Sequence, residues 1–298
     1  MDRSRMCVST WSLHQSLGPR LLTKRDANGV KQPHQLPHPK TMTLFDFLDG
    51  VRPKLDIDNV EICGFHVERR EPTYVAQLKA AIARNSLNVV SMPIDAGNIS
   101  IADPTYREDD LREIEGWMDF AADLGVRYVR ANAQSYVARD EVLGPLSVTI
   151  DSYGRLCDHA ARRGMVMTIE NHGGMTVDPD VILAIIAGVG GNRLKVCMDT
   201  GNFPPIQSHQ MNPVPPTGLD PAPLYRDLAK IAPYTAIIHA KSIWFDGAGN
   251  HLVYDLAHTL RLTRDAGFTG PVSIEYGAGV DEWGNCLKTK RLIEGVFA

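Results

Sequence analysis

Cysteine is sparse in this 298-residue chain, positive charge is not in excess, and no uninterrupted apolar run is long enough to span a bilayer. The five cysteines, Cys7, Cys63, Cys157, Cys197 and Cys286, are odd in number, scattered and never spaced Cys-x-x-Cys. That argues against a disulfide framework and a thiolate zinc site, and leaves small buried hydrophobes. With 31 Lys and Arg against 35 Asp and Glu, the formal net charge is −4. Such a chain has no basic field for a nucleic-acid backbone or an anionic membrane surface, so neither is an expected partner. The opening from Met1 to Trp11 lacks the apolar core of a signal peptide. A cytoplasmic location is therefore expected, and the sequon-like Asn98-Ile-Ser100 carries no weight. No Gly-x-Gly-x-x-Gly follows a strand-like run, and Gly277 and Gly279 near the end have little positive charge around them. A phosphorylated substrate is not indicated.

What the chain does have is a repeated way of ending its apolar runs. Met165 to Met175 reads Met-Val-Met-Thr-Ile-Glu-Asn-His-Gly-Gly-Met, a short β-forming run that stops in a carboxylate, an amide, an imidazole and two glycines. A buried parallel strand delivering polar groups to a site has this form. Leu194 to Met198 runs into Asp199-Thr-Gly-Asn, Thr235 to Ile238 into His239-Ala-Lys, and Pro271 to Ile274 into Glu275-Tyr-Gly. Four apolar strands in succession thus end in Glu170, Asp199, His239 and Glu275.

The whole chain alternates in the same manner. Strands are expected at 6–11, 59–63, 87–93, 126–131, 165–170, 194–198, 235–239 and 272–275, and helices at 43–50, 74–86, 105–124, 145–163, 179–187, 221–231, 255–266 and 285–296. Helix signals include Thr43 as a cap with Gly50 as a stop, and Asp178 as a cap before Pro179. Between Gly18 and Lys40 the composition turns to Pro, His, Lys and Asn, which reads as an extended loop; His34 and His38 there are expected to be solvated. Residues 207–219 read as an irregular, Pro-containing loop able to cover a site. Eight strands and about eight helices in βα alternation make the expected architecture α/β, a single (β/α)8 TIM barrel over 1–298 with a loop insertion at about 18–42.

In such a barrel alternate strand residues point inward and functional groups sit at the carboxyl ends of strands. Alternation pairs Thr168 with Glu170, Cys197 with Asp199, His239 with Lys241 and Ser273 with Glu275, and in the second strand it puts Glu61 on the face of Cys63. Any one of the four end residues alone would be a polar strand end satisfied by a loop amide. Three carboxylates brought together repel and protonate unless a cation neutralises them, and one imidazole completes a donor set for a divalent ion. Manganese suits oxygen-rich ligation best, with magnesium, cobalt and zinc open.

The motifs Val60-Glu-Ile-Cys, Thr168-Ile-Glu-Asn-His-Gly-Gly, Cys197-Met-Asp-Thr-Gly-Asn, Ile238-His-Ala-Lys and Ser273-Ile-Glu-Tyr resemble the sugar phosphate isomerase/epimerase family. These are the xylose isomerase-like barrels that include inosose dehydratases and ketose 3-epimerases. The resemblance covers Met6 to Glu294 apart from the loop at 18–40. It implies one divalent metal on Glu170, Asp199, His239 and Glu275, with Glu170 and Glu275 also the acid/base pair. Ketose 3-epimerases usually carry a histidine three positions after the metal-binding aspartate, where this chain has Asn202. A metal so held grips a carbonyl oxygen and a neighbouring hydroxyl, and the adjacent proton becomes removable through a stabilised enediolate. The expected function is therefore a metal-dependent isomerase or epimerase of a sugar, keto-sugar or cyclitol. A lyase or dehydratase eliminating water or an aglycone from a 3-keto-sugar is the alternative, and an abasic-site endonuclease is disfavoured by the charge. His172 is placed as a further catalytic group, and Lys241, Asn202, Asn171, His66 and Trp11 as substrate contacts. A homo-oligomer is expected from the resemblance, with a different partner subunit left open.

Overall fold

The computed structural model describes residues 5–134, 137, 141–210, 212 and 214–297. Ten strands occur among them: β1 Met6–Ser9, β2 Arg20–Arg25, β3 Lys31–Leu36, β4 Asn59–Glu61, β5 Asn88–Ile94, β6 Tyr128–Ala131, β7 Val166–Glu170, β8 Leu194–Asp199, β9 Thr235–Ser242 and β10 Val272–Tyr276. Eight of these form a closed barrel in the order β1-β10-β9-β8-β7-β6-β5-β4, every neighbouring pair parallel, with β4 returning to β1. The helices are α1 Leu44–Leu55, α2 Pro72–Arg84, α3 Pro104–Asp123, α4 Leu146–Arg162, α5 Pro179–Val189, α6 Ala222–Ile231, α7 Leu256–Asp265 and α8 Glu282–Phe297. One helix follows each barrel strand, so the chain folds as a single (β/α)8 TIM barrel. No helix among the described residues is long and apolar enough to cross a membrane.

Strand parity divides the apolar from the polar. Val60, Ile169, Met198, Ile238 and Ile274 join Leu48, Leu78, Met118, Ile182 and Ile293 from the helices in one continuous buried cluster. Each such side chain contributes about 1.5–3 kcal/mol when withdrawn from water. The other parity meets across the barrel axis and is polar: Cys7 Sγ donates to Ser273 Oγ (3.4 Å), Ser273 Oγ donates to Glu61 Oε1 (3.3 Å), and Ser9 Oγ lies 3.6 Å from Cys63 Sγ. Register then aligns the chemistry. Asp199 pairs with His239 across β8 and β9, and Lys241 with Glu275 across β9 and β10.

Two expectations change. The segment from Gly18 to Lys40 is largely an antiparallel hairpin of β2 and β3, not an extended loop. Asp26 Oδ1 accepts from the backbone N–H of Asn28 and Val30, and Gly29 takes a φ of +77°, so the turn is closed by its own residues. Pro33, which suggested a loop, is tolerated because a two-stranded ribbon leaves one edge of each strand unpaired. Leu22 and Leu36 bring the hairpin down onto Trp11, Cys63, Phe65 and Val137 above the barrel. The second change is Gly50, expected to stop the first helix. α1 continues through it to Leu55 and ends at Asp56 in the left-handed region (φ 52°), and a Cβ on Gly50 would approach the Trp283 ring to 3.0 Å. That glycine serves a close helix contact. Residues 207–219 are mostly irregular with a short 3₁₀ turn at Gln207–His209; positions 211 and 213 of this stretch, like 1–4 and 298 of the expected domain, lie outside the described residues.

Candidate metal centre

The last residue of β7, the last of β8, the fifth of β9 and the fourth of β10 are Glu170, Asp199, His239 and Glu275, and they converge. One ligand atom from each lies within 4.8 Å of all the others, and all four residues are buried. His239 Nδ1 is 2.9 Å from Glu170 Oε1 and 3.2 Å from Glu275 Oε2. Lys241 Nζ lies 3.1 Å from both Asp199 Oδ2 and Glu275 Oε2. Arg130 Nε lies 2.9 Å from Glu170 Oε2, close enough for an ion pair but off the hydrogen-bond line. Glu170 Oε2, Asp199 Oδ2 and Glu275 Oε2 thus remain buried without a hydrogen-bond donor. Buried carboxylate oxygens are rarely left so. The three carboxylates beside the His239 imidazole form an oxygen-rich set that fits a divalent cation.

The other side of His239 is organised as carefully. Nε2 faces Glu61 Oε2 at 3.0 Å and Cys197 Sγ at 3.2 Å. A carboxylate accepts only, so Nε2 donates to Glu61, and without a metal Nδ1 likewise faces acceptors in Glu170 and Glu275, the arrangement of a protonated ring. Cys197 could join Glu170 and His239 as a second donor group. Burial, only partly opposed by His239, pushes its thiol up to about 12, so it is a thiol at neutral pH and the oxygen set is the better ligand.

The ionisation pattern follows from crowding. Burial raises Glu170, but Arg130, His239 and His172 outweigh it and hold the carboxyl down at about 2. Glu275 is likewise held well below the usual range, against burial, by Lys241 and His239. Asp199 goes the other way: burial and then the charges of Glu275 and Glu170 raise it well above its ordinary value despite Lys241. His239 is raised as Cys197, Glu61, Glu275 and Glu170 overcome its burial. Without a metal, the cluster therefore holds protons that a cation would displace.

The expected substrate contacts divide. Lys241 joins the cluster, and its ammonium lies 5.7 Å from the centre of the Trp11 ring, which stacks on His14 at 4.3 Å. His66 is buried against Phe65 with neither ring nitrogen hydrogen-bonded, and burial lowers it to about 3. His172 keeps part of its surface open, but desolvation lowers its pKa even beside Glu170. Asn171 holds a strand end: its amide donates to the Asp199 carbonyl and accepts from the Asp199 N–H, both at 2.9 Å. It clamps the end of β8 with one N–H and one lone pair of its amide. Asn202 Oδ1 accepts from Gln210 Nε2 at 2.8 Å.

Three residues escaped the sequence reading or were underweighted. Strand alternation placed Glu61 only on the face of Cys63, whereas it pairs with His239. Arg130 and Asp95 were passed over, although a charged residue at the inward parity of a short strand such as β6 demands a buried partner; Arg130 Nη1 donates to Asp95 Oδ1 at 2.6 Å. Two cavities of about 260 and 350 Å³ flank the hairpin, and the four-residue cluster lines neither.

A family model described as xylose isomerase-like TIM barrel matches residues 54–289. No curated protein matches the sequence. Among solved structures, a xylose isomerase-like TIM barrel protein from Mycobacterium smegmatis in complex with magnesium is similar with a TM-score of 0.65 and 19% identity, over 98% of this chain and 97% of that one. A D-psicose 3-epimerase solved with D-fructose gives a TM-score of 0.65 at 11% identity over 98% and 96%. The IolI protein with a bound zinc atom gives 0.63 at 14% over 98% and 96%. At these identities the structural likeness speaks for the fold, and the family model adds membership. The chain belongs to the xylose isomerase-like TIM barrel family.

Proposed function

We propose that the chain is a divalent-metal-dependent isomerase or epimerase of a sugar, keto-sugar or cyclitol, working by proton abstraction next to a carbonyl. The observation that carries this reading is the convergence of Glu170, Asp199, His239 and Glu275, buried and with one ligand atom each within 4.8 Å of the others, while one oxygen of each carboxylate lies outside any hydrogen bond. Glu170, Asp199, His239 and Glu275 would hold the ion, for which manganese suits the donors best and magnesium or zinc also fit. Once bound, such an ion supplies Lewis-acid polarisation of a carbonyl oxygen and charge compensation for the enediolate.

The remaining work falls to the chain. Glu170 and Glu275, both held ionised, lie 2.9 and 3.2 Å from the same His239 ring nitrogen and can take and return a proton with the carboxylate oxygen not given to the metal. Arg130 keeps Glu170 in place and limits its basicity. Lys241, displaced from Asp199 and Glu275 when a cation arrives, is placed to donate to a substrate oxygen under the Trp11 ring. His172, neutral at physiological pH, can relay a proton beside Glu170. The likeness to a D-psicose 3-epimerase solved with D-fructose supports a small polyhydroxyl substrate for this reading.

The test is α-proton exchange in heavy water, followed by NMR with metal-loaded protein and a panel of ketoses, cyclitol ketones and 3-keto-glycosides. Deuterium uptake beside the carbonyl is expected, and it should fall by at least ~10²-fold in Glu170→Gln and Glu275→Gln. Uptake that persists in both variants, or none in the parent with metal bound, would sink the reading.

A further inference from the structure

We propose that Asp95 and Asn132 form a hydroxyl-reading subsite beside the metal centre, one that selects a neutral polyhydroxyl substrate over a phosphorylated or carboxylated one. This rests on the reading of the centre as a polyol-handling site and says which polyols it takes.

Asp95 and Asn132 are the first residues beyond β5 and β6, on the same carboxyl-end face as Glu170. Asn132 Nδ2 and Arg130 Nη1 both donate to Asp95 Oδ1, at 2.8 and 2.6 Å. Arg130 Nε in turn stands 2.9 Å from Glu170 Oε2. A continuous polar chain therefore runs from Asn132 through Asp95 and Arg130 to a carboxylate of the centre.

This arrangement leaves two acceptors over. Asp95 Oδ2 and Asn132 Oδ1 are buried and have no hydrogen-bond donor; the Asp95 side chain is 2% exposed. The orientation of the Asn132 amide is fixed, because a carboxylate oxygen can only accept and so demands the NH₂ end. Both spare atoms are therefore acceptors. Folding seldom leaves buried acceptors unpaired unless water or a bound molecule brings the donors. Two neighbouring acceptors complement the O–H groups of a sugar or cyclitol. A phosphate or carboxylate brings acceptors and negative charge against Asp95, and is rejected by the same two atoms.

The test uses the metal-loaded full chain and titration calorimetry with a ketose, a cyclitol ketone, and their phosphate and carboxylate counterparts. The parent should bind the neutral compounds at least ~10-fold more tightly than the anionic ones, the loss expected when buried acceptors stay unpaired. Asn132→Ala should weaken the neutral compounds by ~10-fold and leave the anionic ones unmoved. Asp95→Asn, which keeps the shape and removes the charge, should narrow the neutral-to-anionic ratio by ~10-fold. Equal binding of both classes by the parent, no binding of either, or a ratio unmoved in both variants would overturn the subsite. Proton exchange separates this from the broader reading. Preference without exchange sinks the enolisation chemistry and leaves the subsite standing; exchange without preference sinks the subsite alone.

Discussion

Glu61 decides which nitrogen of His239 faces the acidic cluster. Its Oε2 accepts from Nε2–H at 3.0 Å while Ser273 Oγ donates to Oε1, so the imidazole cannot turn without breaking a buried hydrogen bond. Groups that orient a ligating histidine are typically worth 10–100-fold in metal affinity. Glu61→Ala should therefore weaken manganese or zinc binding by about 10–100-fold in calorimetry, and Glu61→Gln, whose amide oxygen still accepts, should recover much of it. Equal affinity in Glu61→Ala and the parent would remove this role. At this scale the sequence was legible where chemistry interrupts an apolar run: Glu170, Asp199, His239 and Glu275 each follow one, and they are found together. It was not legible where the partner is backbone. Nothing in Glu170-Asn171 says that the amide will satisfy Asp199 on the next strand, since that pairing depends on a register fixed by the closed barrel. Arg130 was within reach, because its inward parity implied a counter-charge, but that the partner is Asp95 needed β5 and β6 side by side.

Among the elements, the hairpin depends on charge more than any other. Arg25 reaches Asp110 with both terminal nitrogens, at 2.7 and 3.0 Å, and Asp110 is fully buried, also accepting from the Asn98 N–H. Lys31 adds contacts to Asp110 and Glu113 at 2.8 and 2.6 Å. Truncating Arg25 strips a buried carboxylate of its main partner, a change that costs about 3–5 kcal/mol when nothing replaces it; Lys31 should hold the cost near the lower end. Arg25→Met is expected to lower stability by about 3 kcal/mol in denaturant melts and to free the amides of 20–36 in hydrogen exchange before those of the barrel. Lys40→Ala, breaking a pair with Glu68 that is 45% and 42% exposed, should stay within about 1 kcal/mol. If the two variants behave alike, the hairpin is held by Leu22 and Leu36 and not by its ion pairs. The hairpin also shows why the sequence misled at this scale. Prolines and histidines at 33–39 spoke for a loop, whereas the Asn28-Gly29 pair between two six-residue runs was the stronger local signal and supplied the turn. Gly50 misled for a different reason: a helix stop and a close contact with Trp283 look the same in one dimension.

For the whole molecule, the barrel couples stability to protons and metal together. Burial lowers His66 to about 3, and lowers His14 and His251 to about 4. These histidines are neutral when folded and charge on unfolding, so stability falls as pH drops below their unfolded value of about 6.5. Glu170, held at about 2, adds a further loss as pH falls from its unfolded value of about 4.5 toward about 2. His239 and Asp199 have the opposite sign. Burial opposes the rise of His239 and its acidic neighbours win, while for Asp199 burial itself leads the rise. Each favours folding in its protonated form and loses that contribution as pH climbs through its raised folded value. Those protons occupy the positions a cation would take, so the metal-free protein weakens toward alkaline pH while metal binding releases protons and strengthens. Metal at about 100 times its dissociation constant should add about 2.7 kcal/mol, or about 5 °C in Tm for a chain of this size. The difference in Tm between metal-loaded and chelator-treated protein should widen from about pH 6 to about pH 8, which differential scanning calorimetry with a matched chelator control would read directly. A gap that stays constant across that range would mean that no proton leaves when the metal arrives. The barrel mouth would then hold its carboxylates ionised by Lys241 and Arg130 alone, with His239 already neutral.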